Sequence, residues 1–271
     1  MAASPVPAAG VAVVQDSRAA GSLTFVLRDI ARGGLAGLLT GLLVAGIGGR
    51  LVMRVAALQV PSAVGQLTEN GNRIGDITAE GSLGLVLLAG LFFGLAGATV
   101  WVVVSPWIPG TGLRRALLAM PVAVALTGVS LIQGRNPDFQ VLRHDGVTVV
   151  LLLLLLAAAG ASISLFDGWL ERRLPRSGAS RAADAVYAAL TVAGGVLIFP
   201  IVLTSYLGGE TLLGLAVVGV GIATVFRWAH RYEGTSPPAR LMAAGRGSLL
   251  IAVAVGPLVL APDVATALGW T

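Results

Sequence analysis

Seven stretches of the chain are apolar for long enough, or nearly so, to cross a hydrocarbon core of about 30 Å, which takes about 20 helical residues. They fall at residues 33–58, 81–105, 116–133, 147–166, 185–206, 212–228 and 247–268. The third is short, and Pro257 and Pro262 interrupt the last, which makes it the weakest of the set. The pattern predicts an all-α fold: a polytopic transmembrane helical bundle of about seven spans occupying residues 23–271. Residues 1–22 are small and weakly apolar and lack an early basic run. That suits a disordered cytoplasmic tail better than a signal peptide.

Arginine placement orients the bundle. Arg18, Arg28 and Arg32 precede the first span, and Arg114 and Arg115 sit in the second loop. Arg172, Arg173, Arg176 and Arg181 lie in the fourth loop, and Arg227, Arg231, Arg240 and Arg246 in the sixth region. These thirteen fall on one side and only Arg50, Arg54, Arg73, Arg135 and Arg143 on the other. The arginine-rich side is expected to be cytoplasmic. Seven spans then put the N-terminus inside and the C-terminus outside, with the first and third loops (61–80 and 134–146) on the outer face.

Within the first span, Gly33, Gly37, Gly41, Ala45 and Gly49 recur at every fourth position. Such a ridge of small residues lets another helix approach closely. Gly90 and Gly94 repeat the device in the second span. Packing inside the bundle is the first expectation and homodimerisation the second. Pro200, following Gly194 and Gly195, predicts a kink in the fifth span.

Composition narrows the chemistry. The chain is 56% hydrophobic and 11% charged, with a mean hydropathy of +0.88. Soluble domains carry about 25% charged residues, so lipid must be the solvent here. The net charge of +5 resides in short loops flanking apolar spans, which favours anionic lipid over nucleic acid as the partner. All 18 basic residues are arginine, a usage that suits a GC-rich bacterial genome. The lack of cysteine removes disulfides, thiolate metal sites and a cysteine nucleophile. The lack of lysine removes Schiff-base chemistry and a phosphate-loop lysine.

The polar residues suggest one place for a ligand. Arg50 and Arg54, in GRLVMR, are four apart and share a helical face. At 1.5 Å per residue, Arg50 stands roughly 27 Å from Arg32, at the outer edge of the membrane. There a pair of guanidinium groups can contact lipid phosphate or hold an anionic ligand. Glu69, Asn72, Arg73, Asp76 and Glu80 in the first loop, with Asp138 and Arg143 in the third, complete the candidate ligand-binding set. Mutual neutralisation among these loops, including Asp145, would fold them over the end of the first span. His144 beside Asp145 could serve as a general base, but His230 is the only other histidine and lies on the opposite side. No multi-histidine metal site is expected. ENGNRIGD lacks the carboxylate spacing of a calcium loop. No cofactor is expected. Aspartate, glutamate and histidine are absent from the middle of every apolar stretch, which counts against a proton-coupled carrier.

GRLVMR (49–54), LTENGNRIGDITAEGSL (67–83) and NPDF (136–139) together resemble a family of uncharacterised polytopic membrane proteins common in actinobacteria. The resemblance covers roughly residues 33–170 and implies multi-pass insertion in the bacterial inner (plasma) membrane. It implies no activity. The reading favoured is therefore a non-enzymatic membrane protein that binds an anionic ligand, most simply a lipid headgroup, at its outer arginine/carboxylate cluster. The rivals are an accessory or assembly subunit that docks a membrane-protein partner, a small-solute permease using the Pro200 kink, and a lipid-modifying enzyme using Asp138 or His144.

Overall fold

A computed structural model of the chain describes residues 8–66, 90–134, 145–207 and 238–270, with shorter pieces at 83–84, 86–87, 136, 139, 141–142, 219, 221–226 and 229–230. Helices dominate, and no strand occurs among the described residues. Helix α1 (Ala8–Thr40) passes through a π-helical stretch (Gly41–Gly48) into α2 (Gly49–Gln59), forming one long rod. A single 3-10 turn, Pro61–Ala63, follows. Beyond it come α3 (Gly90–Val104), α4 (Gly112–Leu131), α5 (Gly146–Arg173), α6 (Arg181–Leu207) and α7 (Ala239–Ala267).

Among the described residues, five helical segments are long and apolar enough to cross a membrane: Leu23–Gln59, Gly112–Val129, Gly146–Arg173, Arg181–Phe199 and Ala239–Ala267. The apolar α3 is shorter. Many of the largest apolar side chains face outward, with Leu250 and Leu258 exposed by 71 and 72%. In water that much exposed apolar surface would drive association; against lipid acyl chains it is the expected exterior. The protein is an all-α transmembrane bundle.

Several helices outrun the apolar stretches that announced them. α1 begins at Ala8, within the segment expected as a tail. α5 continues seven residues past 166, so Asp167 and Glu171 are helical rather than loop residues. α7 is continuous through Pro257 and Pro262, and α6 through position 200. Most of the expected sixth span, 212–228, lies outside the described residues, although 221–226 is helical.

Small residues set the closest helix contacts. A Cβ on Gly37 would sit 2.5 Å from the Gly94 carbonyl oxygen, and one on Gly41 would meet the Gly90 carbonyl oxygen and, at 2.5 Å, the Gly94 Cα. The ridge therefore packs inside the bundle, against α3. It does not run straight. The π turn widens the helix by one residue, so the next contact after Gly41 falls at Gly46, 3.0 Å from the Val86 Cα by the same measure. Gly49, expected to continue the ridge, faces nothing within 4 Å. The same close approach joins α5 to α4, where a Cβ on Gly160 would lie 2.5 Å from the Ala119 carbonyl oxygen. It recurs between α7 and α4, where a Cβ on Gly256 would lie 2.6 Å from the Ala125 Cβ.

Two larger apolar cores lie toward opposite ends of the bundle. One gathers Ala36, Trp101, Ile163 and Leu170 toward the end bearing Arg28, Arg32 and Arg115. The other gathers Ile132, Phe139, Val149 and Leu260 toward the opposite end. Phe139, the last residue of NPDF, is thus a buried anchor for the third loop. A small third cluster packs Ala56, Ala57 and Val60 of the first rod against Leu142 of that same loop. The first and third loops therefore leave the bundle at one shared end.

Candidate functional site

Arginines concentrate at both ends of the bundle, in different surroundings. At one end α1 and α5 run antiparallel. Arg28 and Arg32 are one turn apart on α1, as Asp167 and Glu171 are on α5. Because the spacings match, the antiparallel helices pair them in order. Arg32 Nε donates to Asp167 Oδ1 at 2.7 Å, and Arg28 Nη1 donates to Glu171 Oε2 at 3.1 Å. Arg32 also pairs with Asp29 at 2.7 Å, one turn back on its own helix, and with Glu171. From α4, Arg115 reaches the second oxygen of Asp167 at 3.0 Å and donates to the Ser105 carbonyl at 2.6 Å. Its guanidinium carbon lies 4.9 Å from the centroid of the Trp101 ring, within cation–π range.

Asp167 is only 2% exposed. A carboxylate so buried is tolerable only with its oxygens engaged, and each oxygen here receives an arginine. Arg28 has a second task. The last carbonyls of a helix lack intrahelical donors. Arg28 donates to three oxygens at the end of α5: Glu171 O (3.2 Å), Leu174 O (3.4 Å) and Pro175 O (2.8 Å). Tyr187 Oη of α6 donates to Pro175 O as well, at 2.7 Å. Three arginines and three carboxylates thus fasten α1, α4 and α5 together, and the chain leading to α6 with them. The arrangement is a clasp with its charges matched.

At the opposite end the rod carries the expected pair. Arg50 is half-buried and Arg54 is exposed. Counted from Gly46, the point of contact beyond the π turn, Arg50 and Arg54 come next at intervals of four. The π turn thus swings Arg50 into the place that Gly49 would have taken in an unbroken α-helix. Val52, Ala56 and Val60 are buried on the other flank of α2 and its end. Among the described residues, no carboxylate forms an ion pair with Arg54. Of the other residues expected here, Glu69, Asn72, Arg73, Asp76, Glu80, Asp138 and Arg143 lie outside the described residues, as does His144.

Asp145 is described, and its role is local. It is the N-cap of α5, accepting from Val147 N and Thr148 N, each at 3.1 Å, and from Thr148 Oγ1 at 2.7 Å. It satisfies helix-terminal donors instead of joining the arginine cluster. Asp263, not singled out in the sequence, accepts from Gly134 N at 3.1 Å and ties the third loop to α7.

The clasp was also missed in the sequence, although it left a trace. Asp167 and Glu171 are the two acids that follow the fourth apolar stretch, spaced four apart like Arg28 and Arg32 before the first. No protein-family model matches the chain, and no solved structure matches it.

Proposed function

We propose that this is a non-enzymatic protein of the bacterial plasma membrane, arginine-rich end in the cytoplasm, whose outer face binds an anionic group through Arg50 and Arg54. A phospholipid headgroup is the simplest ligand. One observation carries the reading: Arg54, one turn beyond half-buried Arg50, stands exposed and, among the described residues, pairs with no carboxylate, whereas the arginines of the clasp are consumed by carboxylates. A guanidinium pair on one helical face suits phosphate or carboxylate oxygens. Polar residues of the first and third loops, Glu69, Asn72, Arg73, Asp76, Glu80, Asp138 and Arg143, would rim the site. Packing of Leu142 against Ala56 and Val60 supports that shared location, and the resemblance carried by GRLVMR supports the bacterial membrane setting.

The test is mass spectrometry of small molecules copurifying with the full-length protein from native membrane. An anionic species retained by the parent should be depleted at least several-fold in the R50Q/R54Q double variant. Equal retention by a normally folded double variant would overturn the proposal. Orientation is tested separately with reporter fusions at residues 70, 110, 140 and 175. A cytoplasmic signal at 70 or 140 would reverse it.

A further inference from the structure

A second feature lies at the arginine-rich end, independent of the outer pair. Between α1 and α5 runs an open apolar groove of about 340 Å³, lined by Leu39, Leu165, Phe166 and Trp169. Leu39 and Phe166 form its floor, since both pack on the core cluster beneath. Leu165 and Trp169 are 46 and 45% exposed, so no other described part of the protein closes it. Its size suits a stretch of hydrocarbon chain, not a whole lipid.

The groove has a charged end. Leu165, Trp169 and Arg172 follow one another at intervals of four and three and so form one stripe along α5. Arg172 folds back along the helix: one guanidinium nitrogen lies 3.8 Å from where a Cβ on Gly168 would stand. The guanidinium is thereby drawn back about one turn along α5, and Trp169, three residues before Arg172 on the same stripe, is of a residue type favoured at membrane–water interfaces. The clasp matches Arg28, Arg32 and Arg115 with Asp29, Asp167 and Glu171. Among the described residues no carboxylate pairs with Arg172. A hydrocarbon groove that ends at an indole and a guanidinium with no carboxylate partner among the described residues has the polarity of an anionic lipid.

We infer that this groove is a binding site for one anionic glycerophospholipid of the adjacent leaflet, with an acyl chain along Leu39, Leu165 and Phe166 and the phosphate on Arg172. The lipid would cover the seam between α1 and α5 directly beside the clasp.

The experiment places the full-length protein in phosphatidylcholine bilayers doped with bromine-labelled acyl chains, on either phosphatidylglycerol or phosphatidylcholine. Bromine quenches indole fluorescence at short range, and subtracting the Trp169→Phe signal isolates Trp169. Brominated phosphatidylglycerol should quench Trp169 at a several-fold lower mole fraction than brominated phosphatidylcholine. R172Q should abolish that preference, while R50Q/R54Q should keep it, which separates this site from the outer one. Equal quenching by the two lipids in the parent would overturn the inference, pointing to unselective annular lipid. Protection of Trp169 from both lipids would also overturn it, pointing to a protein partner in the groove. So would a preference that survives R172Q.

Discussion

The two ends of the bundle use the same residue type in opposite ways. At the clasp, Arg32 and Arg115 are mostly buried and converge on Asp167, whose side chain is 3% exposed. At the other end, Arg54 is exposed on the last turns of the rod. The difference teaches what burial does to a guanidinium. Where water is excluded, each charge must be matched by a carboxylate or carbonyl of the protein itself, leaving nothing for a ligand. Where water and headgroups reach, an arginine can stay open to a phosphate at little cost to the fold.

Removing the centre of the clasp should have the largest effect. Asp167→Ala leaves Arg32 and Arg115 facing each other without their shared partner. Breaking a buried ion pair from one side costs about 3–5 kcal/mol, and a comparable loss is expected in denaturant or thermal unfolding in detergent. Replacing all three residues with apolar ones of similar size (D167L/R32M/R115M) should recover much of the loss. If Asp167→Ala melts with the parent, the clasp is not fastening the helices.

Next comes the seam that positions the Arg50/Arg54 pair. Gly41→Leu places a side chain where the backbones of the first rod and α3 already touch. Overpacking of this kind costs about 1–3 kcal/mol. Because the obstacle is the Gly90 carbonyl and Gly94 Cα and not a mobile side chain, the upper part of that range is expected. Gly49→Leu, one residue off the shifted ridge, is the control. It should be nearly neutral, and equal costs at the two positions would contradict the register change at the π turn.

The N-cap is a smaller lever. Asp145→Ala should destabilise by about 1 kcal/mol, and Asp145→Asn, which can still cap, by less. A loss of copurifying anionic ligand in Asp145→Ala without such destabilisation would return Asp145 to the proposed cluster around Arg50 and Arg54. The smallest stability effect belongs to Arg54→Gln, an exposed change expected to stay within about 0.5 kcal/mol while weakening anion retention. That contrast with Asp167→Ala, ligand lost and fold kept against fold lost, is the sharpest statement of how the two ends differ.

Much of this protein could be read from the order of its residues. Length of apolar run, the crowding of arginine before and after particular runs, and the four-residue spacing of Gly33, Gly37 and Gly41 are local properties. They suffice for an all-α membrane bundle with close-packed helices, because lipid forces backbone groups to pair within each helix. The shared helical face of Arg50 and Arg54 is equally local. Other features depend on which helices are neighbours. A hydropathy window ends a span at the first charge, so it stopped at 166 and read Asp167 and Glu171 as loop. Only the antiparallel contact of α1 and α5 shows that those acids continue the helix and meet Arg32 and Arg28. The π turn, too, leaves no hydropathy signal. It moves the contact from position 45 to 46 and takes Gly49 off the seam. Asp145 looks like any loop acid until the start of α5 supplies the N–H groups it caps. For the clasp and the ridge, sequence spacing fixes what one helix presents along its length, while charge partners and contact register are relations between distant segments or across a helix-widening turn; the Asp145 cap is local but exists only where the helix starts.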